Sequence, residues 1–180
     1  MSGLRRAFLA VVPPPAVLRW TESATDSSRG LVDGLRWSRP DQHHLTVRFL
    51  GAVTDPSALA DSFAESFLRR APFSLALGGG GAFPNPRRAS VLWLGVREGS
   101  DALAALAATV AEPDDPPYRA HLTLARAKRA RDLRRVVAAL DACGESKPWT
   151  VDEVVLFESD TRAEGAVHTE QARFRLAGRR

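Results

Sequence analysis

The tripeptide His-Leu-Thr occurs twice in this chain, at His44-Leu45-Thr46 and at His121-Leu122-Thr123, each inside a short apolar run and 77 positions apart. In a β-strand, residues i and i+2 point to one face. Each copy therefore presents an imidazole beside a hydroxyl and turns Leu45 or Leu122 the other way, into a core. A repeat at this separation predicts two similar halves that share a site. Facing each other across a cleft, the two strands would supply two histidines and two hydroxyls. That set suits a phosphodiester: one imidazole takes a proton, one gives a proton, and the hydroxyls hold the nonbridging oxygens.

A chain of 180 residues is long enough to bury a substantial core, as one domain or as two small lobes. Its 25 basic and 21 acidic residues leave a net charge of only +4, yet the pI is about 10.1 because the basic residues are nearly all arginine, which does not titrate. An arginine-rich surface favours phosphate-bearing partners. Cys143 is the single cysteine, which excludes an intrachain disulfide and a thiolate metal cluster and points to the cytoplasm. The apolar run from Ala7 to Val12 is too short for a signal peptide and stops at Pro13-Pro14-Pro15, so it reads as a buried first strand. Nothing approaches the length of a membrane-spanning helix.

Prolines 13–15 preset a helix from Pro15 to Ser27. The turn-prone segments Asp33-Gly34 and Trp37-Ser38-Arg39-Pro40 lead into a strand from His43 to Leu50 that stops at Gly51. Thr54-Asp55-Pro56-Ser57 starts a helix in which Leu59, Phe63, Phe67 and Leu68 fall at helical spacing up to Arg70. Phe73 to Leu77 alternates as a strand, Gly78 to Gly81 reads as a loop, and Ser90 to Val96 is a strongly apolar strand after a turn at Pro84 to Arg88. Ser100-Asp101 caps a helix carrying Leu103, Leu106 and Val110. The second motif strand spans Tyr118 to Arg126, followed by a helix from Asp132 to Cys143 with Gly144 as its C-cap. Strands at Thr150 to Phe157 and Ala172 to Leu176 complete the pattern. Shifting the first half by 77 residues lands its helix and strands on or near those of the second. The class predicted is α+β: two pseudo-symmetric lobes, each an antiparallel sheet with flanking helices, around a central cleft.

The motif strands and their flanks resemble the 2H phosphoesterases, and within them the RNA 2′,3′-cyclic phosphodiesterases, also called 2′-5′ RNA ligases. The resemblance rests on Trp37-Ser38-Arg39-Pro40 leading into His44 to Gly51, on Val91 to Val96, on Tyr118 to Arg126, and on Val154 to Ser159, and it covers nearly the whole chain. It implies a single domain over residues 1–180 made of two intertwined lobes, with one His-x-Thr motif in each. It also implies no metal or other cofactor, and hydrolysis of RNA terminal 2′,3′-cyclic phosphates to 2′-phosphates, with 2′-5′ ligation in some members. On this basis His44 is the proton donor to the leaving 3′ oxygen and His121 the proton acceptor that activates water. Two positions depart from the family. Ala120 stands where many members have proline before the second motif histidine, and His168 follows Gly165 where the family often has tyrosine.

Thr46 and Thr123 are the expected donors to the nonbridging phosphate oxygens. By resemblance Arg126 is a phosphate contact, although it lies five residues after His121 and a flat strand would turn it away; the strand must end or twist there. Arg48 shares the alternation of His44 and Thr46 and is a second phosphate candidate. His43 is turned toward Leu45 and Val47 and reads as a partly buried strand histidine. Phe49, turned with Leu45, reads as core, as do Trp37 and Trp93. Gly78 to Gly81 reads as a mobile hairpin rather than an anion-binding nest, since no strand-to-helix context follows. Asp41, His43 and His44 do not make a metal site, because adjacent histidines diverge in a strand. The partner expected is RNA with a 2′,3′-cyclic phosphate end, or a small cyclic nucleotide, acted on by a monomer whose pseudo-dyad supplies both halves of the site. A noncatalytic module that binds RNA ends is the alternative from another class, and the unreplaced histidine in both motifs argues against it.

Overall fold

The computed structural model describes residues 3–162 and 165–178. Strand β1 (Leu4–Val11) is stopped by the three prolines, and Pro15 begins helix α1 (Pro15–Asp26), whose Val17, Thr21, Ala24 and Thr25 form its buried face. A short strand β2 (Leu35–Trp37) precedes the first motif strand β3 (Leu45–Val53) and helix α2 (Pro56–Leu68). The Asp55 side chain caps α2 by accepting from the Ser57 and Ala58 amides at 3.1 and 3.0 Å, as the local sequence predicts. Strands β4 (Phe73–Phe83) and β5 (Ala89–Glu98) form a hairpin, followed by helix α3 (Ser100–Ala108) and the second motif strand β6 (Leu122–Arg131). Helix α4 (Arg134–Ala142) ends at Gly144, whose φ of +74° is the left-handed turn expected of it. Strands β7 (Trp149–Val151), β8 (Glu153–Arg162) and β9 (Gly165–Arg175) close the chain.

All the strand pairings are antiparallel, in the order β7-β4-β5-β6-β3-β1-β8-β9, with β2 paired to β6 off this path. The helices lie against this curled sheet, and the class is α+β. The two motif strands are neighbours at the middle of the order, yet they share a single ladder pair, Leu45 opposite Leu122. Both leucines are fully buried. Beyond that pair β3 and β6 separate, and β2 takes the vacated edge of β6 through Leu35–Trp37 opposite residues 125–127. Each half is interleaved with the other. The β4–β5 hairpin follows α2 of the first half but pairs through β5 with β6, and the β8–β9 hairpin follows α4 of the second half but pairs through β8 with β1.

Three local expectations are corrected. Gly78 to Gly81 is not a loop but the interior of β4. A Cβ on Gly80 would stand 2.6 Å from the Val137 carbonyl oxygen of α4, and one on Gly81 would stand 2.0 Å from the Trp93 ring, so the glycines let a helix and an indole lie directly on the strand. β3 does not stop at Gly51 but runs on to Val53, because Gly51 stays paired with Ala7. α3 is preceded by Gly99, not capped by a Ser100 side chain. A Cβ at Gly99 (φ +79°) would meet the Ser74 carbonyl at 2.1 Å, which leaves room only for glycine.

Candidate active site

The cleft opens where β3 and β6 part. It is a cavity of about 620 Å³ whose lining includes His44, Thr46, His121 and Thr123. The alternation of both strands, with Leu45, Val47, Leu122 and Leu124 buried on the opposite face, brings the two motifs to one space.

Each imidazole is held in the same way. His44 Nδ1 lies 2.7 Å from the Gln42 carbonyl oxygen, and His121 Nδ1 lies 2.7 Å from the Arg119 carbonyl oxygen. A carbonyl oxygen only accepts, so Nδ1 carries the proton in both rings. Nε2 is then left as an acceptor in the neutral ring and a donor in the cation. The bonded residue is two positions upstream in each case, and the arrangement repeats at the 77-residue offset. The Gln42 side-chain amide also donates to the Ala166 carbonyl of β9, tying the first motif to the β8–β9 hairpin. The Tyr118 hydroxyl donates to the Thr46 carbonyl at 3.1 Å, binding the approach to the second motif against the first.

Electrostatically the two histidines differ. Burial pushes the His44 imidazole down from 6.5 to about 4; the Gln42 carbonyl opposes this, while His168, His43 and His121 add to it. His44 packs on Phe8 at 4.8 Å between ring centroids and meets His168 edge-on at 5.3 Å. His121 is also pushed below the ordinary imidazole value by burial, opposed by the Arg119 carbonyl and assisted by the Arg126 charge. It stands edge-on to Phe83 at 5.0 Å.

Beyond the motif residues the strands do not alternate as flat strands would. Ala10 is opposite Thr46 but Leu9 is opposite Arg48, so Val47 is an extra residue in β3. Trp93 is opposite Thr123 but Leu92 is opposite Ala125, so Leu124 is the matching extra residue in β6. A bulge of one residue reverses which face the following side chains take. Arg126 is thereby brought into the cavity lining, which resolves its odd spacing from His121. The same reversal corrects two readings in the first half. Arg48 does not face the cleft: it is 17% exposed and paired with Asp115 at 2.7 Å and Glu112 at 3.5 Å. Phe49, expected in the core, is 71% exposed and lines the cavity, at the position equivalent to Arg126.

His43 is buried at 4% exposure, as its alternation predicts. Trp93 packs against Phe83 at 5.2 Å, whereas Trp37 is half-buried and contributes to the cavity wall beneath the Arg29 guanidinium. His168 was visible in the sequence only as a departure from a pattern. It lines the cavity because β9 pairs with β8 in a register that sets His168 opposite Ser159, another lining residue. Phe8, Arg36 and Gln42 carry no motif signal and enter the site through strand pairing or loop position.

A curled antiparallel sheet that opens at its middle into a cleft with a histidine from each side defines the class: these are the 2H phosphoesterases. The chain belongs to the 2′-5′ RNA ligase superfamily, which residues 13–163 match. It is 31% identical to the RNA 2′,3′-cyclic phosphodiesterase of Thermus thermophilus, over 96% of this chain and 91% of that protein. To the RNA 2′,3′-cyclic phosphodiesterase of Methanothermobacter thermautotrophicus it is 29% identical, over 95% and 98% respectively. The crystal structure of TT0787 of Thermus thermophilus superposes with a TM-score of 0.73 at 26% identity, covering 97% of this chain and all of that one. Among the described residues no helix is long and apolar enough to cross a membrane.

Proposed function

We propose that this protein hydrolyses RNA terminal 2′,3′-cyclic phosphates to 2′-phosphomonoesters, with His44 as proton donor and His121 as proton acceptor and without a metal ion. The observation that carries the reading is the matched anchoring of the two Nδ1 atoms at 2.7 Å, which leaves an Nε2 on each side of one cavity as the reacting nitrogen. A water proton passes to His121 Nε2 as its oxygen attacks phosphorus. The phosphorus–O3′ bond breaks, and O3′ takes the proton of His44 Nε2, leaving a 3′ hydroxyl and a 2′-phosphate. Thr46 and Thr123 donate to the nonbridging oxygens, and Arg126 balances the charge that builds on them. The 2′-5′ joining of RNA ends would use the same groups in the same proton roles, a 5′ hydroxyl replacing water as the nucleophile, and cleavage of that linkage back to the cyclic phosphate would exchange them.

His44 is neutral in the empty cleft at neutral pH, since burial holds it near 4. A cyclic phosphate is an anion, and its charge beside the ring favours the imidazolium. The substrate thus helps to charge the acid that acts on it. The same reading takes the chain as a cytoplasmic monomer and a single domain over residues 1–180, in which two intertwined lobes contribute one motif each.

The test is incubation in EDTA with a short RNA ending in a 2′,3′-cyclic phosphate, beside a mononucleotide cyclic phosphate, with the position of the product phosphate mapped. Wild type should release a 2′-phosphate. His44→Ala and His121→Ala should each lower the rate by roughly 10²–10⁴ while keeping the wild-type circular dichroism. Abolition of turnover by EDTA, or full activity in either variant, would remove the mechanism; turnover of the mononucleotide alone would replace RNA by a small nucleotide as the substrate.

A further inference from the structure

The two halves of the cleft are alike in backbone and unlike in charge. From the equivalent positions Phe49 and Arg126, the motif strands run outward. β3 continues as Leu50-Gly51-Ala52-Val53, with no charged side chain, whereas β6 continues as Ala127-Lys128-Arg129-Ala130-Arg131. β2 adds Arg36 directly opposite Arg126 in the ladder. Like charges facing each other across a strand pair oppose the sheet unless something neutralises them. Among the described residues, none of Arg36, Arg126, Lys128, Arg129 and Arg131 is in an ion pair. Asp132, the carboxylate that follows this tract, is held by Arg134 at 2.6 Å. All five basic residues are exposed, and Arg36 and Arg126 also line the cavity. The positive charge on the β6 side is therefore uncompensated and continuous with the site. On the other side the outer part of β3 is uncharged, and the two arginines of its neighbour β1, Arg5 and the cavity-lining Arg6, stand beside β8, which carries Glu158 and Asp160.

An extended polyanion with its end between His44 and His121 finds, among the described residues, five basic side chains without an ion pair along β2 and β6, whereas the outer part of β3 offers none and the arginines of β1 share their surface with the carboxylates of β8. We propose that single-stranded RNA leaves the cleft over the second half, with the phosphates upstream of the reacting end carried by Arg36, Lys128, Arg129 and Arg131. The inference rests on the reading of the cleft as the seat of a cyclic phosphate end. It adds a direction: charge breaks the pseudo-symmetry of the backbone, so a polynucleotide enters one way round.

The track is tested by binding, which needs no turnover. Fluorescence anisotropy of a short labelled oligoribonucleotide ending in a 2′-phosphate would be measured against salt for the full chain. The variants are Arg36→Ala/Lys128→Ala/Arg129→Ala/Arg131→Ala, the single change Lys128→Glu, and Ala52→Glu on the uncharged outer part of β3, each checked by circular dichroism. The fourfold variant should bind at least about tenfold more weakly, and the slope of log affinity against log salt should fall by about 3, as expected for four lost single-strand phosphate contacts. Lys128→Glu should move both quantities in the same direction by less, and Ala52→Glu should leave them unchanged. Unchanged affinity in folded Lys128→Glu and in the fourfold variant would overturn the track, and so would an equal loss on Ala52→Glu. A tract that instead serves an acidic protein partner would give the first of these results. Failure of wild type to hydrolyse any cyclic phosphate would refute the proposed activity, while intact hydrolysis with unmoved RNA affinity would refute the track alone.

Discussion

At the scale of single residues, the proposed chemistry depends on two imidazoles that are each fixed at Nδ1. Both are pushed below their ordinary value, and His44 reaches about 4. The proposed mechanism needs the free protein with His44 charged and His121 neutral, a combination that exists on the acid side. The kcat/KM profile, which reports the free protein, should therefore be a bell with both limbs below pH ~6.5. In the complex, the bound anion raises the His44 value, so the basic limb of the kcat profile should lie at higher pH than that of kcat/KM. Measuring both profiles for one cyclic phosphate substrate checks this; coincident basic limbs would show that the substrate does not charge the acid. The four motif residues were legible in the sequence because i, i+2 alternation is local. His168 was not legible as a site residue, since only the β8–β9 register places it there.

At the scale of elements, helices were read to within a few residues because Pro15, Asp55 and Gly144 mark their ends by local chemistry. The strands were less legible. The single-residue bulges at Val47 and Leu124 leave no mark in the hydrophobic pattern, and they alone decide that Arg126 and Phe49 face the cleft while Arg48 turns to Asp115. The glycine run was misread for a related reason: glycine signals a turn when nothing is known of its surroundings, but here the missing side chains are filled by α4 and by the Trp93 ring. Gly81→Ala would force the indole from its place, which also stands against Phe83 and His121. The expected cost is about 1–3 kcal/mol, read as a lower urea midpoint with an unchanged m-value. Activity should fall with it, because the displaced indole is the neighbour of the proposed base.

At the scale of the whole molecule, the repeat predicts two lobes, and the resemblance implies that they intertwine. The β4–β5 hairpin of the first half pairs with β6 of the second, and the β8–β9 hairpin of the second pairs with β1 of the first. Neither half can lose its fold without stripping a strand from the other. Chemical denaturation should therefore give one transition, with tryptophan fluorescence and far-ultraviolet circular dichroism coincident; separated transitions would mean that the halves are independent. The same exchange bears on what half of this chain would do by itself. A fragment ending after β5 would carry a β5 edge whose partner, β6, lies outside it, and a β1 edge with no β8 to cover it. Such a fragment could satisfy both edges only against a second molecule, at a rate set by collision. Joined in one polypeptide, the two halves meet at a local concentration that dilution cannot lower, so the cleft between them stays assembled however scarce the protein is.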